Sequence, residues 1–257
     1  MVLDITPRGV FFHAARDLWG KETYETEEEV LKRFGKREHN YKKCGAVVVG
    51  PAAENLVCFA VIENDHWRSA GRTGVGAVLG SKKVKAILFR GDCKRRAADK
   101  DAVELLVKRF ADISKEDPGV YAYKTMGTPQ LVRIVNNANA FPTRYWSAGK
   151  YEKWEDISSD ALHSRCSVIP HGCLKCFMKC GRLTTIREGR HAGLKVEGPE
   201  YETIYAFGGL CQIDRIEEIV YLNDICDRLG MDTISAGNLC AFTIEAVSYT
   251  HLTLPTN

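Results

Sequence analysis

Three cysteines at short, regular spacing are the residues of this sequence best suited to chemistry. Cys173, Cys176 and Cys180 follow the pattern Cys-x2-Cys-x3-Cys. Short spacers allow successive sulfurs to point into the same concavity, where thiolates bind soft metals such as iron. An iron–sulfur cluster takes four thiolates, and the fourth often comes from a distant part of the chain. The spacing therefore predicts that residues 173–180 bind an iron–sulfur cluster.

A zinc site is the competing metal interpretation of the same cysteines. Structural zinc sites usually combine two pairs of ligands, and the sequence has no second pair after the triplet. Three unlinked cysteines in a helix–loop segment are the remaining alternative. The spacing favours the cluster and leaves both alternatives open.

A glycine-rich segment at residues 69–83 is a second candidate binding region. Its glycines would let backbone amides approach an anion, and a helix beginning near Thr73 would point its N-terminus at that anion. Arg72 has the geometry to donate two hydrogen bonds to a phosphate. The spacing matches neither the Rossmann fingerprint nor the P-loop. Glycines that permit tight helix–strand packing explain the segment equally well.

Composition limits the class of protein. The 257 residues, 45% of them apolar, suffice for one large domain or two modest ones. A net charge of +3 and a short basic run at residues 94–96 among acidic neighbours do not predict nucleic-acid binding. Ten cysteines without a secretory leader indicate a reducing cytoplasm. No apolar run in the sequence approaches the ~20 residues of a membrane span.

The elements that would position these residues change in character near residue 92. Buried strands are predicted at residues 1–5, 46–49, 56–62 and 84–89. A capping box with Thr26 as N-cap predicts a helix that Gly35 ends. We therefore expect residues 1–92 to form a mixed β-sheet with helices.

The pattern from residue 93 is helical. Helices are predicted at residues 101–110, from Thr128 onward, and at residues 199–208, 214–229 and 232–246. Pro118 is expected to end the helix that begins at residue 101. Gly230 is expected to be the C-terminal cap of the helix at residues 214–229. The predicted fold class is α+β, a mixed sheet followed by a mainly helical domain at residues 93–246. Residues 247–257 are threonine-rich and uncharged, which indicates a non-native tail, with a native strand as the alternative.

Taken in chain order, these segments resemble the aldehyde:ferredoxin oxidoreductase family. The matching segments follow the family's order over nearly all of residues 10–246, and they are residues 50–57, 70–87, the cysteine triplet, residues 197–202 and residues 227–235. The resemblance implies a tungsten (or molybdenum) bis-pterin cofactor beside a [4Fe–4S] cluster, with Mg²⁺ bridging the pterin phosphates. It also implies that the three cysteines of the triplet are cluster ligands.

The resemblance further implies which residues contact the pterin. These residues are Ala70, Gly71, Arg72, Thr73, Asp227, Gly230, Met231 and Asp232. The aspartates would accept hydrogen bonds from ring N–H groups, and the glycine turn would bring backbone amides to the ring. Met231 stands where the family has leucine, a volume-conserving difference. An ordinary N-cap of the next helix is the alternative role for Asp232.

Glu202 falls where the family places a catalytic glutamate. A carboxylate of raised pKa near the metal would move the protons that aldehyde oxidation releases. The alternative is a carboxylate that interacts favourably with a helix N-terminus, which suits Glu200 better.

The resemblance implies that the whole protein oxidises an aldehyde, or a related carbonyl compound, to a carboxylic acid and passes electrons through the cluster to ferredoxin. This chain would be a cytoplasmic fragment, inactive alone, since the family's fourth cluster cysteine, second pterin motif and catalytic histidine are not in it. A homodimer is left open, although Tyr221 replaces the histidine of the subunit-bridging Glu-x-x-His site of some members. The alternative function is a stand-alone iron–sulfur electron-transfer or zinc module without catalytic activity.

Overall fold

The computed structural model describes residues 1–35, 43–92, 96–174 and 176–253. These residues form two compact units. The first comprises the described residues up to 92 together with Asp224–Asp232, and the second comprises residues 96–223 and those from 233 onward. Residues 224–232, here called the return segment, thus belong to the first unit, whereas a boundary at residue 92 would place them in the helical domain.

A mixed sheet forms the basis of the first unit. Its strands are β1 (Val2–Thr6), β2 (Gly9–His13), β3 (Lys43–Val48), β4 (Ile62–Asn64), β5 (Arg68–Ala70) and β6 (Ala86–Gly91). They lie in the order β2-β1-β6-β3-β4-β5. Strands β1 and β6 pair in parallel, and the other neighbours pair antiparallel.

Helix α1 (Thr23–Phe34) covers one face of this sheet. Thr26, Val30 and Phe34 are buried on it at intervals of four residues, which is the spacing of one helix face. Val30 and Phe34 pack in one buried cluster with Val48 and Leu88 of the sheet. Two short helices, α2 (Pro51–Glu54) and α3 (Val75–Ser81), pack against each other.

The structure confirms three of the predicted strands, since β1, β3 and β6 lie at the expected positions. Gly35 ends helix α1 as predicted, but the capping box is wrong. Helix α1 begins at Thr23, and Thr26 lies within it, where its hydroxyl donates to the Glu22 carbonyl oxygen at 2.6 Å. A threonine hydroxyl inside a helix often donates to the carbonyl oxygen four residues earlier. The pattern of Thr26 followed by glutamates is therefore compatible with a position inside a helix as well as with an N-cap.

The strand predicted at residues 56–62 is also wrong. This segment forms turns after α2, and a strand begins only at Ile62. Short apolar runs do not distinguish a strand from other buried backbone, which explains the error. Helix α3 begins at Val75 rather than near Thr73, and the left-handed Gly74 precedes it with φ 69°.

The second unit is mainly helical and contains a small antiparallel sheet. Its elements are α4 (Lys100–Ile113), α5 (Pro118–Met126), α6 (Leu131–Asn137), α7 (Ser159–Arg165), β7 (Cys166–His171), β8 (Gly181–Ile186), β9 (Lys195–Glu197), α8 (Tyr201–Thr203), α9 (Ile216–Leu229, shared with the first unit) and α10 (Thr233–Thr253). The strands lie in the order β7-β8-β9. A π-helix at Ile204–Gly209 extends α8. Within the described residues, no helix combines the length and hydropathy that a membrane span needs.

Most of the predicted helices of this unit are confirmed, with three changes. Pro118 begins helix α5, for which the Asp117 side chain is the N-cap, rather than only ending a helix. Thr128 is the first residue of a 3-10 turn, and α6 begins after it at Leu131. Helix α10 continues to Thr253, past residue 246, and residues 254–257 lie outside the described part.

We predict that Gly80→Ala destabilises the first unit. A Cβ at Gly80 of α3 would lie 2.5 Å from the carbonyl carbon of Ala53 in α2, so the two helices would have to separate. Overpacking of this kind costs about 1–3 kcal/mol, measurable by urea denaturation. Gly45→Ala is the control, because a Cβ there has no neighbour within 4 Å. An equal loss of stability in both variants would contradict the tight α2–α3 packing.

Candidate functional site

The backbone of the return segment (residues 224–232) packs directly against the backbone at Gly50, the residue before α2. A Cβ at Gly230, which has φ 73°, would lie 2.9 Å from the Gly50 amide nitrogen. The Val61 amide donates to the Gly230 carbonyl oxygen at 2.9 Å, and the Asp232 amide donates to the Phe59 carbonyl oxygen at 3.1 Å. The left-handed Gly230 follows the last residue of α9, as predicted for its cap.

Arg72 and Asp232 join the two segments that were predicted to bind the pterin. The Arg72 Nε lies 3.6 Å from Asp232 Oδ2. The aspartate side chain is only 8% exposed, whereas the arginine side chain is 61% exposed. Arg72 is held in the left-handed region at φ 63°. Ala70, Gly71 and Thr73 are exposed beside it, so residues 70–73 and 227–232 meet within the first unit.

Asp227 and Met231 fix the rest of the return segment. The hydroxyl of the buried Thr23 donates to the Asp227 carbonyl oxygen at 2.7 Å. Met231 forms an isolated antiparallel bridge with Ala60, and it packs against a buried cluster that contains Ala53 and Ala60. Met231 thus has a packing role in addition to its predicted place in the pterin motif.

The side chains of this region fit a pterin phosphate. The carboxylates of Asp227 and Asp232 lie in nearly buried residues, each 9% exposed, and they suit the ring N–H donors of a pterin. The exposed part of Arg72 suits an anionic group, since a guanidinium binds phosphate through two parallel hydrogen bonds. The first unit therefore offers a cation and a carboxylate side by side at Arg72 and Asp232, and a second nearly buried carboxylate, Asp227, in the same return segment.

The cysteine triplet lies in the loop of a β-hairpin in the second unit. The pairing of His171 with Gly181 closes the β7–β8 hairpin, so residues 172–180 form its loop. The Cys176 amide donates to the Cys173 carbonyl oxygen at 2.9 Å, which turns the chain between these two cysteines. Burial raises the pKa of the Cys180 thiol, and the charges of Glu200, Cys176 and Cys173 raise it further. The charges of the other two cysteines of the triplet thus act on Cys180.

The thiols of the triplet are the candidate metal donors of the second unit. Within the described residues, no three histidine, cysteine, aspartate or glutamate side chains are placed to hold one metal ion. Thiolates are soft donors that suit iron, and in an iron–sulfur cluster each thiolate binds a separate iron atom. Zinc also takes thiolate ligands, so the zinc alternative stays open.

Arg182 supports the cysteine loop, although no sequence motif points to it. It follows Cys180 by two residues and is completely buried in β8. Its guanidinium donates to carbonyl oxygens of the loop and of helix α5. The only sequence signal for Arg182 is its place in a short strand. Arginine is almost never fully buried unless its charge has partners, so such a residue is a candidate for a structural role.

Glu200 and Glu202 differ sharply in their surroundings. Glu202 is exposed in the first turn of α8. Glu200 is mostly buried and accepts a hydrogen bond from the Thr128 hydroxyl. Burial raises the pKa of Glu200. Burial also raises the pKa of Tyr201 to about 12, and the charges of Tyr205 and then Glu202 raise it further.

Two models of known protein families match this chain. The model "Aldehyde ferredoxin oxidoreductase, N-terminal domain" matches residues 1–91, and the model "Aldehyde ferredoxin oxidoreductase, domains 2 & 3" matches residues 105–254. The chain belongs to the aldehyde ferredoxin oxidoreductase family.

Its similar relatives include two tungsten-containing aldehyde ferredoxin oxidoreductases. The chain is 38% identical to that of Thermococcus kodakarensis over 243 residues, and 37% identical to that of Pyrococcus furiosus over 245 residues. Each match covers 93% of this chain and 38% of the relative, so the chain spans about 38% of their length. It is also 29% identical to the "Aliphatic sulfonate oxidoreductase, WOR-like subunit" of Pyrococcus furiosus, covering 86% of this chain and 35% of that relative.

A solved structure shows the same fold. The active site complex BamBC of benzoyl coenzyme A reductase, in complex with 1,5-dienoyl-CoA, superposes with a TM-score of 0.75 at 22% sequence identity. The match covers 97% of this chain and 38% of that chain. Together with the mixed sheet and the mainly helical second unit, it confirms the predicted α+β class.

A buried carboxyl, Glu63, lies in β4 of the first unit. It is 1% exposed, and the Ser69 hydroxyl lies 2.7 Å from each of its carboxyl oxygens. Burial raises the pKa of Glu63 to about 8, and the charge of Glu27 adds to the shift. Tyr24 has a raised pKa, mainly through burial and then through the charges of Asp227 and other carboxylates that include Glu63.

We predict that Glu63→Gln removes a pH dependence of stability. As the pH rises from the ordinary pKa of 4.5 to about 8, the unfolded chain ionises this carboxyl while the folded unit keeps it protonated. The stability that Glu63 contributes at acid pH is therefore lost as the pH rises through about 8, by on the order of a few kcal/mol.

Urea denaturation at about pH 5 and about pH 8.5 checks this prediction. Wild type should lose more stability across this interval than Glu63→Gln. The exposed Glu25→Gln is the control and should follow wild type, since the partner of Glu25 is a lysine rather than a histidine. Parallel curves for wild type and Glu63→Gln would show that Glu63 titrates normally.

Proposed function

We propose that this chain carries part of the cofactor-binding region of a tungsten-pterin oxidoreductase that converts aldehydes to carboxylic acids. The observation that carries the proposal is the Arg72–Asp232 pair, which joins the glycine-rich segment to the aspartate motif in the first unit. The match of both family models to this chain and the names of its relatives support the same assignment.

In this proposal the first unit binds the pterin. Asp227 and Asp232 accept hydrogen bonds from ring N–H groups, and the Gly230 turn fixes the spacing between them. Arg72 would donate to a pterin phosphate, and the exposed backbone of residues 70–73 would help to hold the phosphates and the Mg²⁺ that accompanies them. The bound metal-pterin group supplies the two-electron redox chemistry.

The second unit supplies three thiolates to a [4Fe–4S] cluster in this proposal. Cys173, Cys176 and Cys180 are these ligands, and a fourth ligand completes the cluster. Electrons then leave to ferredoxin, as the family name suggests. A cluster of this kind is suited to a reducing cytoplasm.

Glu202 is the proposed proton acceptor. Oxidation of an aldehyde to an acid takes one oxygen from water and releases two electrons and two protons. An exposed carboxylate can accept a proton from a substrate or water molecule, and Glu202 is exposed. The substrate is a small aldehyde or a related carbonyl compound.

We predict that the chain takes up iron and sulfide through the triplet. Anaerobic reconstitution with ferrous iron, sulfide and a free thiol as fourth ligand should give a brown cluster spectrum, with iron measured by a colorimetric assay. Cys173→Ser, Cys176→Ser and Cys180→Ser should each lose most of the iron, because serine is a poor ligand for soft iron.

Cys240→Ser is the matched control, since Cys240 is an exposed cysteine of the same unit. Full iron content in the three triplet variants would contradict the proposed cluster. Uptake of zinc in preference to iron, without colour, would favour the zinc alternative.

We also predict that Asp232→Asn weakens pterin binding by the first unit. Loss of a charged hydrogen-bond acceptor should reduce affinity for a reduced pterin phosphate about tenfold or more. Fluorescence titration of the chain measures this affinity. Asp65→Asn, an exposed aspartate of the same unit, is the control. Equal affinities of Asp232→Asn and wild type would exclude Asp232 as a pterin ligand.

A further inference from the structure

The loop that carries the cysteines contains a strained residue beside its third thiol. Lys179 has φ 48°, a left-handed conformation that is unfavourable for a residue with a side chain. A Cβ at Gly172, across the base of the loop, would lie 2.9 Å from the Lys179 Cα. The two ends of the loop are therefore in close contact, and surrounding interactions must hold Lys179 in place.

Arg182 makes the contacts that hold this end of the loop. Its Nη2 donates to the Lys179 carbonyl oxygen at 2.8 Å. Both Nε and Nη2 lie 3.3 Å from the Cys180 carbonyl oxygen. The residue is 0% exposed, so water does not compete for these hydrogen bonds.

The other side of the same guanidinium binds the end of helix α5. Nη1 donates to the carbonyl oxygens of Lys124 and Thr125 at 3.0 Å each, and Nη2 donates to that of Tyr123 at 2.8 Å. The last carbonyls of a helix lack partners within the helix and carry partial negative charge. A guanidinium satisfies several of them at once because its donors form a rigid planar fork.

Gly127 leaves room for this arrangement. It follows α5 with φ 67°, and a Cβ there would lie 2.7 Å from Arg182 Nε and 2.8 Å from the Cys180 carbonyl oxygen. Glycine at this position allows the helix end, the arginine and the loop to meet. The contact thus involves three separate stretches of the second unit.

We propose that Arg182 is a positioning residue of the candidate cluster site, which fixes the backbone at Cys180 to the end of α5 and places a permanent positive charge near that thiolate. The proposal rests on the proposed role of the triplet as cluster ligands. The Arg182 Nε and Nη2 atoms lie 3.3 Å from the Cys180 carbonyl oxygen, so the charge of the guanidinium is close to this cysteine residue. A nearby cation stabilises a thiolate and favours addition of an electron to a cluster.

Two substitutions of Arg182 distinguish the effect of its hydrogen-bonding geometry from the effect of its positive charge. Arg182→Gln removes both, so cluster affinity should fall about 10- to 100-fold, as for other residues that orient metal ligands, and the cluster midpoint potential should become more negative. Arg182→Lys keeps the charge but not the fork, so its potential should stay near wild type while its cluster affinity is intermediate.

The experiment uses the whole chain with two measurements. Iron and sulfide titration followed by redox titration gives cluster affinity and midpoint potential. Limited trypsin digestion of the metal-free chain, followed by mass spectrometry, gives the cleavage rate after Lys179, whose carbonyl group Arg182 holds. We expect this cleavage to accelerate about tenfold or more in Arg182→Gln. Circular dichroism confirms that each variant is folded.

Arg187→Gln is the matched control. Arg187 is an exposed arginine that follows β8, and it donates to the Ser164 carbonyl oxygen rather than to the loop. It should behave as wild type in both measurements. If Arg182→Gln does not fold, Arg182→Lys decides the outcome, with faster cleavage and intermediate affinity expected.

The outcomes distinguish this inference from the proposed function. Wild-type cleavage rates in folded Arg182 variants would overturn the positioning role, whatever the iron content. Faster cleavage with unchanged cluster affinity and potential would also overturn it, because the loop would then be held for a reason unrelated to the cluster. A wild-type chain that takes up no iron would contradict the proposed cluster, and the digestion would still decide whether Arg182 positions the loop.

Discussion

The close approach of Gly50 to Gly230 is the contact on which the first unit's candidate site depends. A side chain at either position would collide with the backbone of the other segment. Without this approach, the Val61 and Asp232 amides would not reach their partners on opposite segments. Asp232 would then not meet Arg72, and the surface that suits a pterin phosphate would not form.

In the second unit, a buried arginine rather than a close approach of two glycines fixes the backbone of the candidate site. Arg182 satisfies its buried charge with backbone carbonyls of a helix end and of the cysteine loop. A buried cation without such partners would be strongly destabilising, so the contacts are mutually dependent. In both units, interactions between segments distant in sequence fix the backbone of the short motifs that carry the chemistry.

The sequence predicted those features that local chemistry determines. Strands β1, β3 and β6 have clear apolar runs bounded by turn residues, and Gly230 has the usual position of a helix cap. Local signals failed where they were ambiguous, as at Thr26 and residues 56–62. Of the candidate sites, the cysteine triplet and the aspartate motif were recognisable as motifs. The Arg72–Asp232 pair and the contacts of Arg182 were not, because they depend on tertiary structure.

Hydrogen exchange at the Val61 and Asp232 amides measures whether residues 227–232 are an integral part of the first unit. Both amides donate to carbonyl groups across the contact between the return segment and residues 59–61. We expect them to exchange as slowly as the amides of strand β6, since they open only when the unit unfolds. Exchange at the rate of an unstructured peptide would show that residues 227–232 are not docked on the first unit.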